Sequence, residues 1–387
     1  MGLKRVVDKI WTCSSSGQCV GKGPTNPFGG PSYPLGLCAR HEKFKREEFN
    51  PRGLLYLARL LYNNEISPSE ELVKATYTCN ACGYCDDVCT LRPLEAFVGL
   101  REELVERGTA LPAGIKKDVE NVREKHNVMG ASPEARSKWA KELNLPKKGD
   151  VLYFAGCFAS YRQPETAKAT VKVLEAAGVK AAYLGNDEWC CGVPALWSGE
   201  RKLAEEMMKH NLELIKDSGA QTVVVSDAEC YRNLKKDYPQ VLGEEVPAKV
   251  LHVAELFAQL VDQKKLKFKE VKNKVTYHDP CFLGRHSKIY DEPRKVIESI
   301  PGVKLVEMER NRHGAFCCGS GAGVTHSAYP DFAEWTAGQR VTEARRAADT
   351  VVTACPRCVE IFKRTAKKEG IDLTVYDLPV FVEKALT

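Results

Sequence analysis

The sequence predicts an α/β protein with three parts: a small α-helical, cysteine-rich N-terminal domain and two duplicated units of parallel β-α-β elements. Three observations predict it. Sixteen cysteines in 387 residues fall into groups. Seven of them lie before residue 109, among apolar segments of helical period. The other nine repeat at a near-constant offset: 124 residues separate Cys157 from Cys281, 127 separate Cys190 from Cys317, and 128 separate Cys230 from Cys358. An offset of that kind marks an internal duplication. The expected division is 1–108 for the helical domain, 109–149 for a linker, 150–245 for the first α/β unit and 246–387 for the second.

Bulk composition excludes several classes. A hydrophobic content of 43% supports an ordinary core, and a formal charge of +6 is modest for this length. No basic stripe with interleaved aromatics is present, so nucleic acid is not an expected partner. The Lys-rich run from Lys264 to Lys274 reads as a solvated connector. No apolar leader precedes a cleavage site, and no apolar run approaches the roughly 20 residues that cross a bilayer. The expectation is a cytoplasmic protein, where cysteines serve as metal ligands rather than disulfides.

In the N-terminal domain the strongest motif is Cys79-x-x-Cys82-Gly83-x-Cys85-x-x-x-Cys89. This is the spacing of bacterial ferredoxins, in which the last cysteine of each run ligates the other cluster. A partner run starts at Cys13 and continues through Ser16 and Cys19 to Cys38, with Ser16 where a second cysteine belongs. The crossed rule assigns Cys38, Cys79, Cys82 and Cys85 to one cubane cluster. Cys13, Cys19 and Cys89 fall to a second, with Ser16 as an oxygen ligand or an empty corner; the alternative is that this cluster is absent. A Gly/Pro-rich insertion from Gly21 to Gly36 delays Cys38 and is a candidate docking surface. Helices are expected over Leu54 to Tyr62, with Leu54, Leu57, Leu60 and Leu61 on one face, and over Leu94 to Val105, with Phe97, Leu100 and Leu104 on one face. Residues 109–149 carry no motif and are expected to pack through Trp139 and Leu145.

The first α/β unit opens on Val151 to Ala155, a continuous apolar run suited to a buried parallel strand. A helix from Pro164 to Gly178, a strand from Lys180 to Leu184, a helix from Glu200 to Asp217 and a strand from Thr222 to Val225 follow. The second unit repeats this order: strand Lys274 to His278, helix Pro293 to Ile300, strand Val303 to Glu307, helix Asp331 to Ala348, strand Thr350 to Thr353, and a helix opening at Cys355. Ligands of such sheets bind beyond the carboxyl ends of the strands. Each cysteine group follows a strand or a short loop after one, so each unit gathers its sulfurs at one rim.

The second unit brings Cys281, the adjacent pair Cys317-Cys318, and Cys355-Pro356-Arg357-Cys358. A zinc ion takes four ligands, and neighbouring cysteines seldom share one zinc. Five soft ligands with an adjacent pair suit a multi-iron sulfide cluster better. The first unit has Cys157, Cys190, Cys191 and Cys230, but Asp227 stands 128 residues before Cys355. Either the carboxylate is a harder iron ligand there or the first site has lost its cluster. Gly319-Ser320-Gly321-Ala322-Gly323 follows a cysteine pair rather than a strand, and reads as a close-approach loop, not a nucleotide fingerprint. His278, His286 and His313 are each either proton donors near the sulfurs or structural hydrogen-bonding partners.

These residues resemble the cysteine-rich CCG-domain family. A ferredoxin-like domain followed by two such domains is similar to the D-subunits of heterodisulfide reductases and to the iron–sulfur subunits of glycolate oxidase and anaerobic glycerol-3-phosphate dehydrogenase. The resemblance spans nearly the whole chain. Asn50-Pro51-Arg52-Gly53, His278-Asp279-Pro280-Cys281, Pro301-Gly302-Val303 and Thr353-Ala354-Cys355-Pro356 carry it beside the five-cysteine motif. It implies a noncubane 4Fe–4S cluster on Cys281, Cys317, Cys318, Cys355 and Cys358, which is also the expected substrate site. In heterodisulfide reductases the disulfide is cleaved between two such clusters. Asp227 departs from a two-cluster cleaving site, and Ser16 from a second complete cubane.

Two functions are consistent with this reading, on one or two cubane and one or two noncubane clusters. In the first, the chain is an iron–sulfur electron-transfer subunit of a heterodisulfide-reductase-like oxidoreductase complex. In the second, it is a catalytic subunit that reduces a disulfide, CoM-S-S-CoB-like or another thiol pair, at the noncubane cluster. The incomplete first unit favours electron transfer. No flavin or nicotinamide signature is present, so a flavoprotein or a membrane cytochrome is the expected partner in a heteromeric complex. Contact with the inner face of a membrane would then be peripheral, through that partner.

Overall fold

The computed structural model describes residues 2–17, 19 and 36–387. The insertion expected as a docking surface lies outside the described residues except for Gly36. The chain forms a mixed helix and strand structure with two parallel four-stranded sheets.

The first sheet comprises β1 (Val151–Phe154), β2 (Ala181–Ala182), β3 (Thr222–Val225) and β4 (Lys249–His252), in the order β2-β1-β3-β4. The second comprises β5 (Asn273–His278), β6 (Val303–Leu305), β7 (Thr350–Thr353) and β8 (Thr374–Asp377), in the equivalent order β6-β5-β7-β8. All pairings are parallel, and the central strands are apolar and buried because helices cover both faces. The registers coincide: Phe154 lies opposite Val225 in the first sheet, and His278 opposite Thr353 in the second. The segments that carry the sulfurs therefore leave both sheets at the same strand ends.

Two strands were not legible as such. β4 and β8 each complete a sheet and each lead directly into a helix, Val253–Asp262 and Leu378–Ala385. The helix opening after Cys355, Pro356–Glu369, is thus followed by β8 and a shorter helix. The expected strand over Lys180 to Leu184 shortens to two residues, because the Tyr183 N–H turns to the Pro146 carbonyl at 2.8 Å and Leu184 leads into a 3-10 turn over Gly185–Asp187.

The N-terminal domain is helical. Asn50 caps the helix Pro51–Tyr62 by accepting from the Gly53 N–H at 2.9 Å. Its buried stripe is Leu54, Leu55, Ala58 and Leu61, so Leu57 and Leu60 sit at the margin rather than on the inner face. The helix Leu94–Glu106 buries Phe97, Leu100 and Leu104. Arg101 on this helix ties the domain to the rest of the chain. Its guanidinium donates to the Trp197 carbonyl at 2.7 Å and to the Cys79 carbonyl at 2.8 Å. Thr325 in the second unit also bonds the Cys79 carbonyl, at 2.9 Å.

Candidate metal centres

All sixteen cysteines are free thiols. They gather in four groups. In the second unit a chain of thiol contacts runs from Cys281 to Cys317, Cys318, Cys358 and Cys355. Cys281 leaves β5, the adjacent pair lies in the loop after β6, and Cys355 and Cys358 open the helix after β7. Four of the five are buried, and Cys281 is partly exposed. Contact with Cys317, then burial, pushes the Cys281 and Cys318 thiols well up. Cys317 is pulled well down, because it accepts from both neighbours and from the Gly319 N–H at 3.3 Å. Five crowded soft donors of this kind gain from a cation that takes them as thiolates.

In the first unit the corresponding chain is Cys157, Cys190, Cys191 and Cys230, with the last two sulfurs 3.2 Å apart. Gly156 makes room for it. A Cβ there would stand 2.9 Å from the Cys230 sulfur, and its φ of 72° is left-handed. Asp227 has a task unforeseen from the sequence. It caps the helix Ala228–Arg232, accepting through Oδ1 from the Glu229 N–H at 2.8 Å and the Cys230 N–H at 3.3 Å. Cys355, in the equivalent place, makes no side-chain cap bond.

Behind each first cysteine sits a buried arginine–carboxylate pair. In the first unit Arg136 meets Glu188 at 2.8 Å, and Glu188 also accepts from the Ala155 and Gly156 N–H groups. Arg136 reaches the Cys157 sulfur at 3.6 Å. In the second unit Arg294 grips Asp279 through two bonds, at 2.7 and 2.9 Å. Arg136 comes from residues 109–149, which carry no motif, and nothing in the sequence marked it. The same segment packs Trp139 edge-on against Tyr153, at 5.8 Å between ring centres.

The N-terminal thiols form the other two groups. Cys38, Cys79, Cys82 and Cys85 interact with one another, and line one cavity together with Cys19, Arg40 and Asn80. Both polar atoms of the Asn80 side chain are buried without a protein partner. Burial pushes Cys82 up to about 12, and also raises Cys38 and Cys85. Burial opposes the charge of Arg40, yet the Cys79 and Cys38 sulfurs offset it and the guanidinium is held charged. Cys13 and Cys89 converge on Cys19, whose thiol burial and neighbouring sulfurs raise to about 11. Ser16 is exposed.

The groups are linked. Cys82 lies close enough to Cys317 to feel its charge. Arg285 stands between them: its Nε donates to the Cys82 carbonyl at 2.7 Å, and the Cys82, Cys281 and Cys317 sulfurs hold it charged against the cost of burial. His286 Nε2 bonds the Ala81 carbonyl at 2.9 Å and the His286 ring fills the space above Gly83, so it is a structural contact between domains. Across the two units, Arg357 from the Cys355–Cys358 segment pairs with Glu229 at 2.7 Å and lies over the Phe158 ring at 4.1 Å. These arginines were also invisible in the sequence, because only the fold brings them to the sulfurs.

The CCG cysteine-rich domain model matches residues 151–235 and 275–363, one copy in each α/β unit. The D-subunit of the dihydromethanophenazine:CoB–CoM heterodisulfide reductase of Methanosarcina mazei is 36% identical over 386 residues, covering 97% of this chain and 93% of that protein. This chain belongs to the CCG-domain family of the heterodisulfide reductase D-subunits. The B-subunit of the fumarate reductase (CoM/CoB) of Methanothermobacter marburgensis is 31% identical, covering 85% of this chain and 67% of that protein. A crystal structure of a hypothetical protein from Helicobacter pylori shares the fold, with a TM-score of 0.59 at 12% identity, over 87% of this chain and 67% of that one. The chain is accordingly an iron–sulfur oxidoreductase component. The residues present fit such cofactors: the donors are soft, grouped and mostly buried, and Arg40 and the orphaned Asn80 amide line the N-terminal cavity. No helix among the described residues is long and apolar enough to cross a membrane.

Proposed function

We propose that this chain is the electron-relaying iron–sulfur subunit of a heteromeric heterodisulfide-reductase-like complex. Cys38, Cys79, Cys82 and Cys85 would hold a cubane 4Fe–4S cluster, and Cys281, Cys317, Cys318, Cys355 and Cys358 a noncubane one. Cys13, Cys19 and Cys89, with Ser16 or an empty position at the fourth corner, would hold the second cubane. Bound there, such clusters supply one-electron acceptors and donors. The three-part division into 1–108, 150–245 and 246–387, joined by 109–149, belongs to the same reading, with the boundary between the two α/β units moved past β4, because Lys249–His252 pairs with β3 of the first sheet.

The observation that carries it is the closeness of Cys82 to Cys317, with Arg285 facing both groups. A positive charge shared between two sulfur groups lowers the cost of adding an electron to either. Burial of Cys317, Cys318, Cys355 and Cys358 keeps water from the junction. The incomplete thiol set of the first unit supports relay over cleavage between paired centres. A flavoprotein or a membrane cytochrome remains the expected partner, with the chain in the cytoplasm or peripheral to the membrane through it.

One observation favours the second reading, catalytic disulfide reduction. Cys281 alone of the five is partly exposed, so a substrate sulfur could approach the centre from that side. Anaerobic reduction by a one-electron donor, followed by rapid mixing with a disulfide, separates the two. Relay requires reoxidation only when the partner protein is present; reoxidation by the disulfide alone establishes catalysis by this chain.

A further inference from the structure

His278 ends β5, is 1% exposed and is not absorbed by the relay. Its Nδ1 accepts from the Arg340 Nε at 3.0 Å. Arg340 is fully buried and cannot turn away, since it also donates to the Arg310 carbonyl at 2.7 Å and to Glu343 at 2.9 Å. A neutral imidazole has one N–H, and with Nδ1 accepting, the proton sits on Nε2. Nε2 is buried and has no hydrogen-bond partner in the protein. One ring nitrogen of His278 lies within 4.8 Å of the Cys318 and Cys358 sulfurs, which are within the same distance of each other. With Nδ1 committed to Arg340, the nitrogen free for a further partner is Nε2. Phe362 packs edge-on against the ring at 4.8 Å and limits its rotation.

The trio of His278, Cys318 and Cys358 has the outline of a metal site. The tautomer argues otherwise, because a protonated ring nitrogen has no lone pair to give. A buried N–H without a partner on a ring beside two sulfurs is free to act as a hydrogen-bond donor. The first unit offers a contrast: the place equivalent to His278 is Phe154, which has nothing to donate.

We propose that His278 is a positioning residue that donates its Nε2–H to the sulfurs at the Cys318–Cys358 edge once the centre is loaded, and that Arg340 fixes the tautomer that makes this possible. The inference rests on the iron–sulfur reading of the five thiols. Hydrogen bonds to cluster sulfurs favour the reduced, more negative state, and thereby raise the reduction potential. The donor would thus make the C-terminal centre a better electron acceptor from the cubane side.

The test uses the full-length protein, purified anaerobically and labelled with 15N-histidine. Iron and sulfide are measured first; their absence at the five thiols overturns the iron–sulfur reading itself, and this proposal with it. With the centre loaded and paramagnetic, pulsed resonance should show one weakly coupled histidine nitrogen and a nearby proton that exchanges in D2O. His278→Leu should remove both and shift the midpoint potential of the centre to more negative values. His278→Gln, which keeps an N–H, should recover most of the shift, and Arg340→Met should give a smaller shift in the same direction. A strongly coupled nitrogen would make His278 a ligand, and no coupling would remove the hydrogen bond. Either result in the wild type overturns the proposal even if a variant fails to load, as does an unchanged potential in a fully loaded His278→Leu.

Discussion

The two α/β units share strand order, register and the placement of their sulfurs, yet the residue that opens the helix after the third strand of each differs in chemistry. Cys355 opens its helix with a side chain free to face the other four thiols, whereas Asp227 opens the equivalent helix by turning a carboxylate oxygen onto the helix's own N–H groups. A cap bond of this kind is worth about 1 kcal/mol. The first unit thus has a helix cap where the second has a fifth thiol. A fold can keep its architecture while one position changes from a thiol beside other thiols to a carboxylate that caps the backbone, because strand ends and helix starts serve both equally well.

The strongest way to break the comparison is to impose the first unit's residue on the second. Cys355→Asp should cap the helix Pro356–Glu369 and abolish the C-terminal centre, seen as loss of its iron and of its resonance signal, with the fold retained by circular dichroism. The next effect concerns the charged pairs behind the sulfurs. Arg136→Met strands Glu188, whose side chain is fully buried, and breaking such a pair costs about 3–5 kcal/mol. Anaerobic thermal denaturation should show a large fall in Tm, and Arg136→Lys should recover only part of it.

A third difference lies in the helix caps that follow β4 and β8. The first unit uses His252, whose Nδ1 accepts from the Ala254 N–H, and the second uses Asp377, which accepts from the Leu378 N–H. Burial holds the His252 pKa down to about 3 against an ordinary 6.5. Between these values the unfolded chain binds the proton that the folded one refuses, so stability falls as pH drops from about 6.5 toward 3, by up to about 1.4 kcal/mol per pH unit. His252→Asn keeps a cap and should flatten that part of a denaturation series between pH 7 and pH 5. The smallest effect is expected for Asp227→Asn. It retains a capping oxygen, so stability should change by less than about 1 kcal/mol. If capping is the whole task of Asp227, the metal content of the first unit should also stay the same.

Much of this was legible in the sequence. The thiols of Cys281, Cys317, Cys318, Cys355 and Cys358 meet because each follows a strand end, and period and spacing mark strand ends well. The parallel sheets were legible for the same reason, since fully buried strands read as continuous apolar runs. β4 and β8 were not, because Lys249–His252 and Thr374–Asp377 carry polar residues at their ends and lie outside the cysteine repeat. The arginines around the sulfurs, Arg40, Arg136, Arg285 and Arg357, could not be singled out among 57 basic residues. A buried cation is defined by what packs on it, and each of these four has a partner that lies far away in the chain. The role of Asp227 was hidden differently: a ligand and a cap use the same carboxylate at the same position, and only the direction of the side chain tells them apart.

The central claim is that the second unit, and not the first, houses the terminal redox centre of the relay. Equivalent cysteines test it most directly. Cys317→Ala and Cys191→Ala are to be purified anaerobically beside the wild type, and each titrated electrochemically while its resonance spectrum is followed. The account expects Cys317→Ala to lose the unusual iron–sulfur signal and to stop electron flow beyond the cubane side, while Cys191→Ala keeps both. Loss of the signal in Cys191→Ala with its survival in Cys317→Ala would contradict the account, as would one zinc and no iron at the five thiols of the wild type.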